Sequence, residues 1–178
     1  MSMVGERAPA FRVGALRDGR VDGEVALEEF RGRWLVLFFY PGDFTFVCPT
    51  ELRALAGRAE EFRQREVAVV MVSTDSVYTH RAWTDAPTER GGVGPIPFPM
   101  ASDPTRVVAR AYDVLNEGAG TAQRATTIVD PDGRVRYQLV HDDAVGRSVD
   151  ELVRVLDALR TGELCPVDWR AGDPHLTR

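Results

Sequence analysis

The chain of 178 residues contains no lysine, so all 22 of its basic residues are arginines. This excludes mechanisms that need a Schiff-base lysine or a phosphate-loop lysine. With 27 acidic residues the net charge is −5, which argues against nucleic acid as a main partner because phosphate binding needs a basic surface. No apolar run approaches the roughly 20 residues that span a bilayer, so no membrane partner is expected.

Cysteine and histidine are also scarce, with two cysteines and three histidines. They lack the close spacing of a zinc site, so no metal centre is expected. The N-terminal residues contain no apolar signal core and carry Glu6 early, which favours a cytoplasmic address over secretion. Cytoplasmic thiols are kept reduced, so Cys48 and Cys165 are better suited to catalysis or redox sensing than to a structural disulfide.

Hydrophobic patterning predicts an α/β sandwich around a central sheet. Turn residues at Asp18-Gly19 and at Asp22-Gly23 divide short β-like pieces near the N-terminus. The apolar runs "WLVLFFY" and "VAVVMVST" are typical of buried strands, and "ATTIVDPDGRVRYQLV" is typical of a β-hairpin. Helices are predicted over residues 46–65, after a Ser76 cap, from Pro104 onward, and between Ser148 and Gly162.

The predicted order is β-α-β-α-α-β-β-α, with no internal repeat and no long linker. We therefore expect one domain over residues 1–160, followed by a tail over residues 161–178 that carries Cys165. The length suits a single domain with a sizeable core.

Cys48 lies in the stretch "DFTFVCPTE", where a buried strand gives way to a helix. A helix N-terminus stabilises a thiolate, and sites often form where the strands of an α/β sheet end. Thr45 can aim its hydroxyl at the thiolate or at a ligand, and Pro41 can shield the sulfur from water. The alternative is a structural cysteine that packs as a small hydrophobe, and the residues alone leave both possibilities open.

The stretch "FFYPGDFTFVCPTEL" resembles the active-site segment of the peroxiredoxins, thiol peroxidases with a thioredoxin-like fold. The family pattern P-x-x-x-T/S-x-x-C is met in full by Pro41, Thr45 and Cys48. Further similar segments occur in the family's order, namely "VGERAPAF", "THRAW", "RATTIVDPDG", "VGRSVDELVRVLDAL" and "GELCPVDW". The resemblance covers nearly the whole chain and implies an α/β, thioredoxin-like fold with a central mixed sheet flanked by helices.

The resemblance also implies roles for the matching residues. Cys48 corresponds to the peroxidatic nucleophile, Thr45 to the hydroxyl that hydrogen-bonds the peroxide, and Pro41 to the cover of the pocket. Arg124 corresponds to the guanidinium that stabilises the thiolate and the transition state. By position alone, an arginine such as Arg124 before a strand is usually a solvated charge at the sheet edge, and Thr45 could be a simple helix cap.

Three further residues are assigned by the resemblance. Glu51 and Arg147 are expected to orient the active-site arginine, although Glu51 also suits a helix dipole and Arg147 a surface position. Cys165 corresponds to the resolving cysteine of the typical two-cysteine branch, in which it acts on the partner subunit of a homodimer. Such dimers often assemble further into decameric rings.

The implied chemistry needs a hydroperoxide substrate and no metal or organic cofactor. The reductant is expected to be thioredoxin-like, a flavoprotein or a small dithiol protein. The competing interpretation from another functional class is a redox-regulated chaperone or peroxide sensor, in which assembly matters more than turnover.

Two local features lead to further expectations. Residues 91–94, "GGVG", resemble a loop of overoxidation-sensitive relatives, but the tail after Cys165 has no Tyr or Phe. Such a tail is expected to hold Cys165 loosely and to give resistance to overoxidation. Pro49 disfavours helical backbone at the residue before it, so the turn at Cys48 is expected to unwind readily.

Overall fold

The fold is given by a computed structural model, which describes residues 3–177. A seven-stranded sheet has the order β2-β1-β5-β4-β3-β8-β9, and a separate two-stranded ribbon is formed by β6 and β7. The strands are β1 (Arg12–Arg17), β2 (Arg20–Ala26), β3 (Trp34–Phe39), β4 (Val67–Ser73), β5 (Met100–Ser102), β6 (Leu115–Asn116), β7 (Thr121–Ala122), β8 (Arg124–Val129) and β9 (Val135–His141).

The sheet is mixed, as predicted. Strands β3, β4 and β5 are parallel, whereas β1 is antiparallel to β5, β8 is antiparallel to β3, and β9 is antiparallel to β8. Strand β3 has hydrogen-bonded neighbours on both sides and is buried from Leu35 to its end. This position explains its continuous apolar run, since a strand covered on both faces needs no polar alternation.

The helices are α1 (Cys48–Ala56), α2 (Ala59–Gln64), α3 (Val77–Asp85), α4 (Val107–Ala111) and α5 (Val149–Thr161). Helix α2 packs against β4, and α3 packs against β1 and β5. Short 3-10 turns lie at Leu27–Phe30 and Thr88–Arg90. Within residues 3–177, no helix combines the length and the apolar character that a membrane crossing requires.

The predicted caps of two helices are confirmed. The Ser76 hydroxyl accepts a hydrogen bond from the Thr79 amide at 3.1 Å, and the Ser148 hydroxyl accepts one from the Glu151 amide at 3.1 Å. Gly162 ends α5 with a φ of 71°, a conformation in which glycine has no steric penalty. These local signals therefore fixed the ends of α3 and α5.

Two predictions in the first half of the chain are wrong. The single helix over residues 46–65 is interrupted at Gly57 and Arg58, so that α1 and α2 are separate helices. The expected turn at Asp22 and Gly23 lies inside β2, whereas Asp18 and Gly19 do form the turn between β1 and β2. Strand pairing outweighed the turn preference of the Asp22-Gly23 pair.

The helix predicted from Pro104 is also wrong at its start. Helix α4 begins at Val107, after Arg106 in a left-handed conformation with φ of 62°. The Asp103 carboxylate accepts a hydrogen bond from the Ala109 amide at 2.8 Å. Asp103 thus does satisfy a helix donor, but it acts on a helix that begins three residues later than expected.

Two compact units divide the chain, Met1–Gly146 and Arg147–Arg178. The first contains the strands and α1–α4, and its core includes Tyr112, whose ring lies 6.3 Å from that of Phe11 and 5.6 Å from that of Phe39. The second contains α5 and the tail. The expected division at residue 160 stays a prediction.

Candidate active site

Cys48 is the first residue of α1 and follows the turn that leaves β3. Its side chain is fully buried, with 0% exposure. The amides of Thr50 and Glu51 both donate to the Val47 carbonyl, at 3.0 and 3.3 Å, which starts the helix at this point. The predicted placement of Cys48 at a helix N-terminus is therefore confirmed.

Arg124 reaches Cys48 because of the register between two strands. It is the first residue of β8, and the next residue, Ala125, pairs with Phe39 at the end of β3. Antiparallel pairing thus brings Arg124 to the edge of the sheet at which β3 ends. Its Nη1 donates to Cys48 Sγ at 3.5 Å and to Glu51 Oε2 at 2.6 Å.

The arginine and its carboxylate partner form a buried ion pair, each side chain being 3% exposed. Nε and Nη2 of Arg124 also donate to the Asp143 carbonyl, at 3.3 and 2.8 Å. Burial acts to lower the pKa of Arg124, but the hydrogen bond to Cys48 and the charge of Glu51 outweigh it and raise that pKa overall. A permanent cation therefore faces the sulfur.

Thr45 and Pro41 lie in the turn between β3 and α1. The Thr45 hydroxyl donates to the Gly42 carbonyl at 2.9 Å, which fixes its orientation and leaves its oxygen able to accept. Thr45 does not cap α1, because the residue before that helix is Val47. Pro41 is half-buried.

The other two predicted residues belong to the second unit. Arg147 is buried and precedes the Ser148 cap of α5. Cys165 is a half-buried free thiol whose sulfur lies 3.6 Å from the Thr161 hydroxyl and 3.8 Å from the Ala158 carbonyl. Within the described residues the structure thus brings Cys48, Glu51 and Arg124 into direct contact.

The tail around Cys165 makes several contacts within itself. Trp169 is buried, its ring stacks on His175 at 5.4 Å, and its indole nitrogen donates to the Asp173 carbonyl at 3.1 Å. The Leu176 amide donates to the Leu164 carbonyl at 2.8 Å. An aromatic residue is therefore present to organise this segment, although it is neither Tyr nor Phe.

A buried polar network beside the site was missed by the sequence analysis, which gave His80 no chemical role. Asp43 accepts a hydrogen bond from the Tyr40 hydroxyl at 2.8 Å, and its other oxygen lies 2.7 Å from His80 Nδ1. All three side chains are buried. A carboxylate inside the aromatic stretch "FFYPGDFTF" was the signal that could have revealed it.

Comparison with known proteins identifies the family. The sequence pattern described as the AhpC/TSA family matches residues 4–138. The chain belongs to the AhpC/TSA family. Within residues 3–177 of this AhpC/TSA protein, His, Cys, Asp and Glu side chains form no group of three or more that could hold a metal ion.

Named relatives of this AhpC/TSA protein are peroxidases. It is 45% identical to a thioredoxin peroxidase of Echinococcus granulosus, over 96% of this chain and 90% of the relative. It is 43% identical to peroxiredoxin tpx1 of Schizosaccharomyces pombe, over 95% and 90%. We conclude that the AhpC/TSA protein is a thiol peroxidase of the peroxiredoxin family, as the resemblance implied.

Solved structures agree with this family assignment. The reduced 2-Cys peroxiredoxin of Plasmodium vivax aligns with a TM-score of 0.94 at 39% identity, over 98% of this chain and 93% of that chain. The AhpC of Enterococcus faecalis aligns with a TM-score of 0.86 at 37% identity, over 93% and 100%. The predicted thioredoxin-like fold of this AhpC/TSA protein is therefore confirmed.

Proposed function

We propose that Cys48 is the peroxidatic nucleophile of this peroxidase. The observation that carries the proposal is the buried Cys48 sulfur, which accepts a hydrogen bond from Arg124 while Glu51 holds the same guanidinium nitrogen. A structural cysteine has no need of a buried cation. The helix start at Cys48 adds a second favourable electrostatic contribution to the thiolate.

The reaction is a displacement at oxygen. The Cys48 thiolate attacks one peroxide oxygen, a sulfur–oxygen bond forms, and the oxygen–oxygen bond breaks. The leaving hydroxide or alkoxide takes up a proton to give water or an alcohol, so that the peroxide is reduced and the sulfur is oxidised to sulfenic acid. Negative charge moves from sulfur to the leaving oxygen, and preorganised donors along that path stabilise it.

The neighbouring residues divide the supporting work. The Thr45 hydroxyl oxygen accepts a hydrogen bond from the peroxide, and Pro41 keeps water from the thiolate. Arg124 stabilises the charge on sulfur and on the leaving oxygen, and its fixed protonation suits this role. Glu51 and Arg147 hold that arginine in position.

Cys165 completes the cycle in this proposal. Its thiol condenses with the Cys48 sulfenic acid of the partner subunit, releasing water and forming a disulfide, as in the typical two-cysteine branch. A homodimer follows from this scheme, with decameric rings as its further assembly. A thioredoxin-type dithiol is the favoured reductant, given the names of the relatives. A flavoprotein or another small dithiol protein is the alternative. The cytoplasm suits this mechanism because it keeps thiols reduced.

Single-turnover kinetics test the nucleophile. The reduced Cys165→Ser variant is expected to consume about one equivalent of hydrogen peroxide and to stop at the sulfenic acid. The Cys48→Ser variant is expected to consume none. Peroxide consumption by Cys48→Ser at the wild-type rate would refute the assignment.

Non-reducing electrophoresis tests the resolving step. After addition of peroxide, the wild-type protein is expected to run as a covalent dimer that Cys165→Ser does not form. An oxidised band at the size of a monomer would instead indicate a bridge within one chain. The chaperone function would be favoured if Cys48→Ser protected client proteins as fully as the wild type and the wild type did not turn over peroxide.

A further inference from the structure

Several buried polar groups hold the turn between β3 and α1 in place. This turn, residues 40–45, carries Pro41 and Thr45, both of which we place at the peroxide. Its central residue, Asp43, has a fully buried carboxylate. The Tyr40 hydroxyl donates to one oxygen at 2.8 Å, and His80 Nδ1 lies 2.7 Å from the other.

The protons of this Tyr40–Asp43–His80 network follow from its partners. His80 Nε2 faces the Ala101 carbonyl at 3.4 Å, and a carbonyl can only accept, so Nε2 carries a proton. Nδ1 of His80 and the Asp43 carboxylate then share one further proton. Burial raises the pKa of Asp43 against the opposing effect of His80, and the nearby Asp75 charge adds to the rise. Burial raises the pKa of Tyr40 well above its ordinary value, so its hydroxyl remains a donor.

The backbone of the turn is anchored as well. The Asp43 amide donates to Asp75 Oδ2 at 2.9 Å, and the Ser73 hydroxyl donates to the same oxygen at 2.8 Å. Ser73 ends β4 and His80 lies on α3. Asp43 therefore connects the turn to a strand and a helix that are distant in sequence.

The next residue shows why such anchoring is needed. Phe44 has a φ of 54°, a left-handed conformation that is disfavoured for residues with a Cβ atom. Its half-exposed ring contacts Trp83, with the ring centroids 6.2 Å apart. Thr45 follows directly, so the direction of its hydroxyl depends on this conformation being kept.

We propose that the Tyr40–Asp43–His80 network positions the Thr45 hydroxyl for the peroxide, and that Asp43 and His80 are positioning residues for the first chemical step. The inference rests on the proposed roles of Cys48 and Thr45. An apolar side chain of similar size would avoid the desolvation cost of burying an ionisable pair. The polar groups instead give the turn a single geometry, because each needs its partner in one place.

The first test uses stopped-flow measurement of the reaction between reduced protein and hydrogen peroxide. Tyr40→Phe keeps the ring but removes the donor to Asp43, and Asp43→Ala removes both the acceptor of Tyr40 and the partner of His80. Each is expected to lower the second-order rate constant about tenfold. Tyr112→Phe is the matched control, since it removes the hydroxyl of another buried tyrosine, and it is expected to react at the wild-type rate.

The second test asks whether the network acts through Thr45. In a Thr45→Val background, Asp43→Ala is expected to lower the rate constant less than about twofold further, because the group that Asp43 positions is already gone. A tenfold fall in both backgrounds would overturn the inference, since a general loss of stability adds independently of Thr45. If Tyr40→Phe and Asp43→Ala react at the wild-type rate while Thr45→Val is slow, this inference is overturned and the proposed role of Thr45 stands. A wild-type rate in Thr45→Val would refute its proposed role, and with it this inference.

Rescue at His80 gives an additional readout. In His80→Asn the amide nitrogen falls near the position of Nδ1 and can donate to Asp43, whereas His80→Leu cannot. The asparagine variant is expected to keep at least about one third of the wild-type rate constant, and the leucine variant about one tenth. Equal rates for the two variants would contradict the proposed hydrogen bond. Urea unfolding of both variants shows whether each is folded under the assay conditions.

Discussion

Replacement of Arg124 by methionine separates the chemical role of the buried ion pair from its structural role. The change removes the cation that donates to Cys48 at 3.5 Å and leaves the Glu51 carboxylate buried without it. Breaking a buried ion pair on one side costs about 3–5 kcal/mol of stability. The single variant is therefore expected to be both slow and unstable, which by itself proves little.

The expected rate effect can be worked out from the geometry. Two unit charges 3.5 Å apart attract by about 5 kcal/mol at an effective dielectric constant of about 20, which sets an upper bound. The net contribution of a hydrogen bond to a charged group is about 1.5–3 kcal/mol. At about 1.36 kcal/mol for each factor of ten, Arg124→Met is expected to lower the rate constant about 10- to 150-fold.

The deciding variant is the double substitution Glu51→Gln with Arg124→Met. It removes both charges, so most of the lost stability is expected to return, because no carboxylate is left buried without its cation. The rate constant is expected to stay low, because the sulfur still lacks its donor. Urea unfolding measures the free energy of unfolding, and stopped-flow kinetics with hydrogen peroxide measure the rate constant.

The control is Arg110→Met, which breaks an exposed ion pair with Glu117. It is expected to leave both the stability and the rate constant close to their wild-type values, because exposed ion pairs contribute little. If the double variant recovers the wild-type rate together with its stability, Arg124 acts only by keeping the site folded. That result would refute the electrostatic role argued for it.

Three further outcomes are expected. Pro49→Ala removes the restriction on the backbone of the preceding residue. It should slow disulfide formation with Cys165 and leave the first reaction with peroxide nearly unchanged. Disulfide formation at the wild-type rate would contradict this. Leu55→Ala, at a fully buried position of α1, should cost about 2–5 kcal/mol in urea unfolding, and a loss below about 1 kcal/mol would contradict it. Burial raises the pKa of Tyr112, so the stability that the protonated Tyr112 hydroxyl provides is complete below pH about 10 and is lost as the pH rises above that. The free energy of unfolding of Tyr112→Phe should therefore depend less on pH in the alkaline range. A pH dependence identical to that of the wild type would contradict this.

The parts of the site that lie close together in sequence were predictable. The spacing of Pro41, Thr45 and Cys48 places all three between a buried strand and a helix, and an apolar run bounded by Gly32 and Pro41 reads clearly as a buried strand. Caps such as Ser148 were also readable, because a single side chain and a backbone amide three residues later decide them. These features depend on local geometry alone.

The remainder depends on register and tertiary contact. Arg124 is 76 residues from Cys48 in sequence, and its approach follows from the pairing of β8 with β3, which no local pattern specifies. His80 is separated from Asp43 by 37 residues, and no local pattern connects the two. The break at Gly57 was hidden because the helical periodicity continues on both sides of it.

Pro49 can strain the first turn of α1 through only one of its two effects on the backbone. Pro49 lies in that turn, where a backbone amide has no partner within the helix, so its missing donor costs nothing there. What remains is the steric restriction that Pro49 places on the backbone of Cys48. Against unwinding stand three donors that converge on the Val47 carbonyl, namely the Thr50 amide at 3.0 Å, the Thr50 hydroxyl at 2.6 Å and the Glu51 amide at 3.3 Å. Water can replace each of these bonds at a net cost of about 1 kcal/mol, so together they oppose release of Cys48 about as strongly as the hydrogen bond from Arg124 to its sulfur does. In the proposed cycle, oxidation of that sulfur replaces the thiolate with a neutral sulfenic acid, which weakens its attraction to Arg124 before Cys48 leaves its pocket.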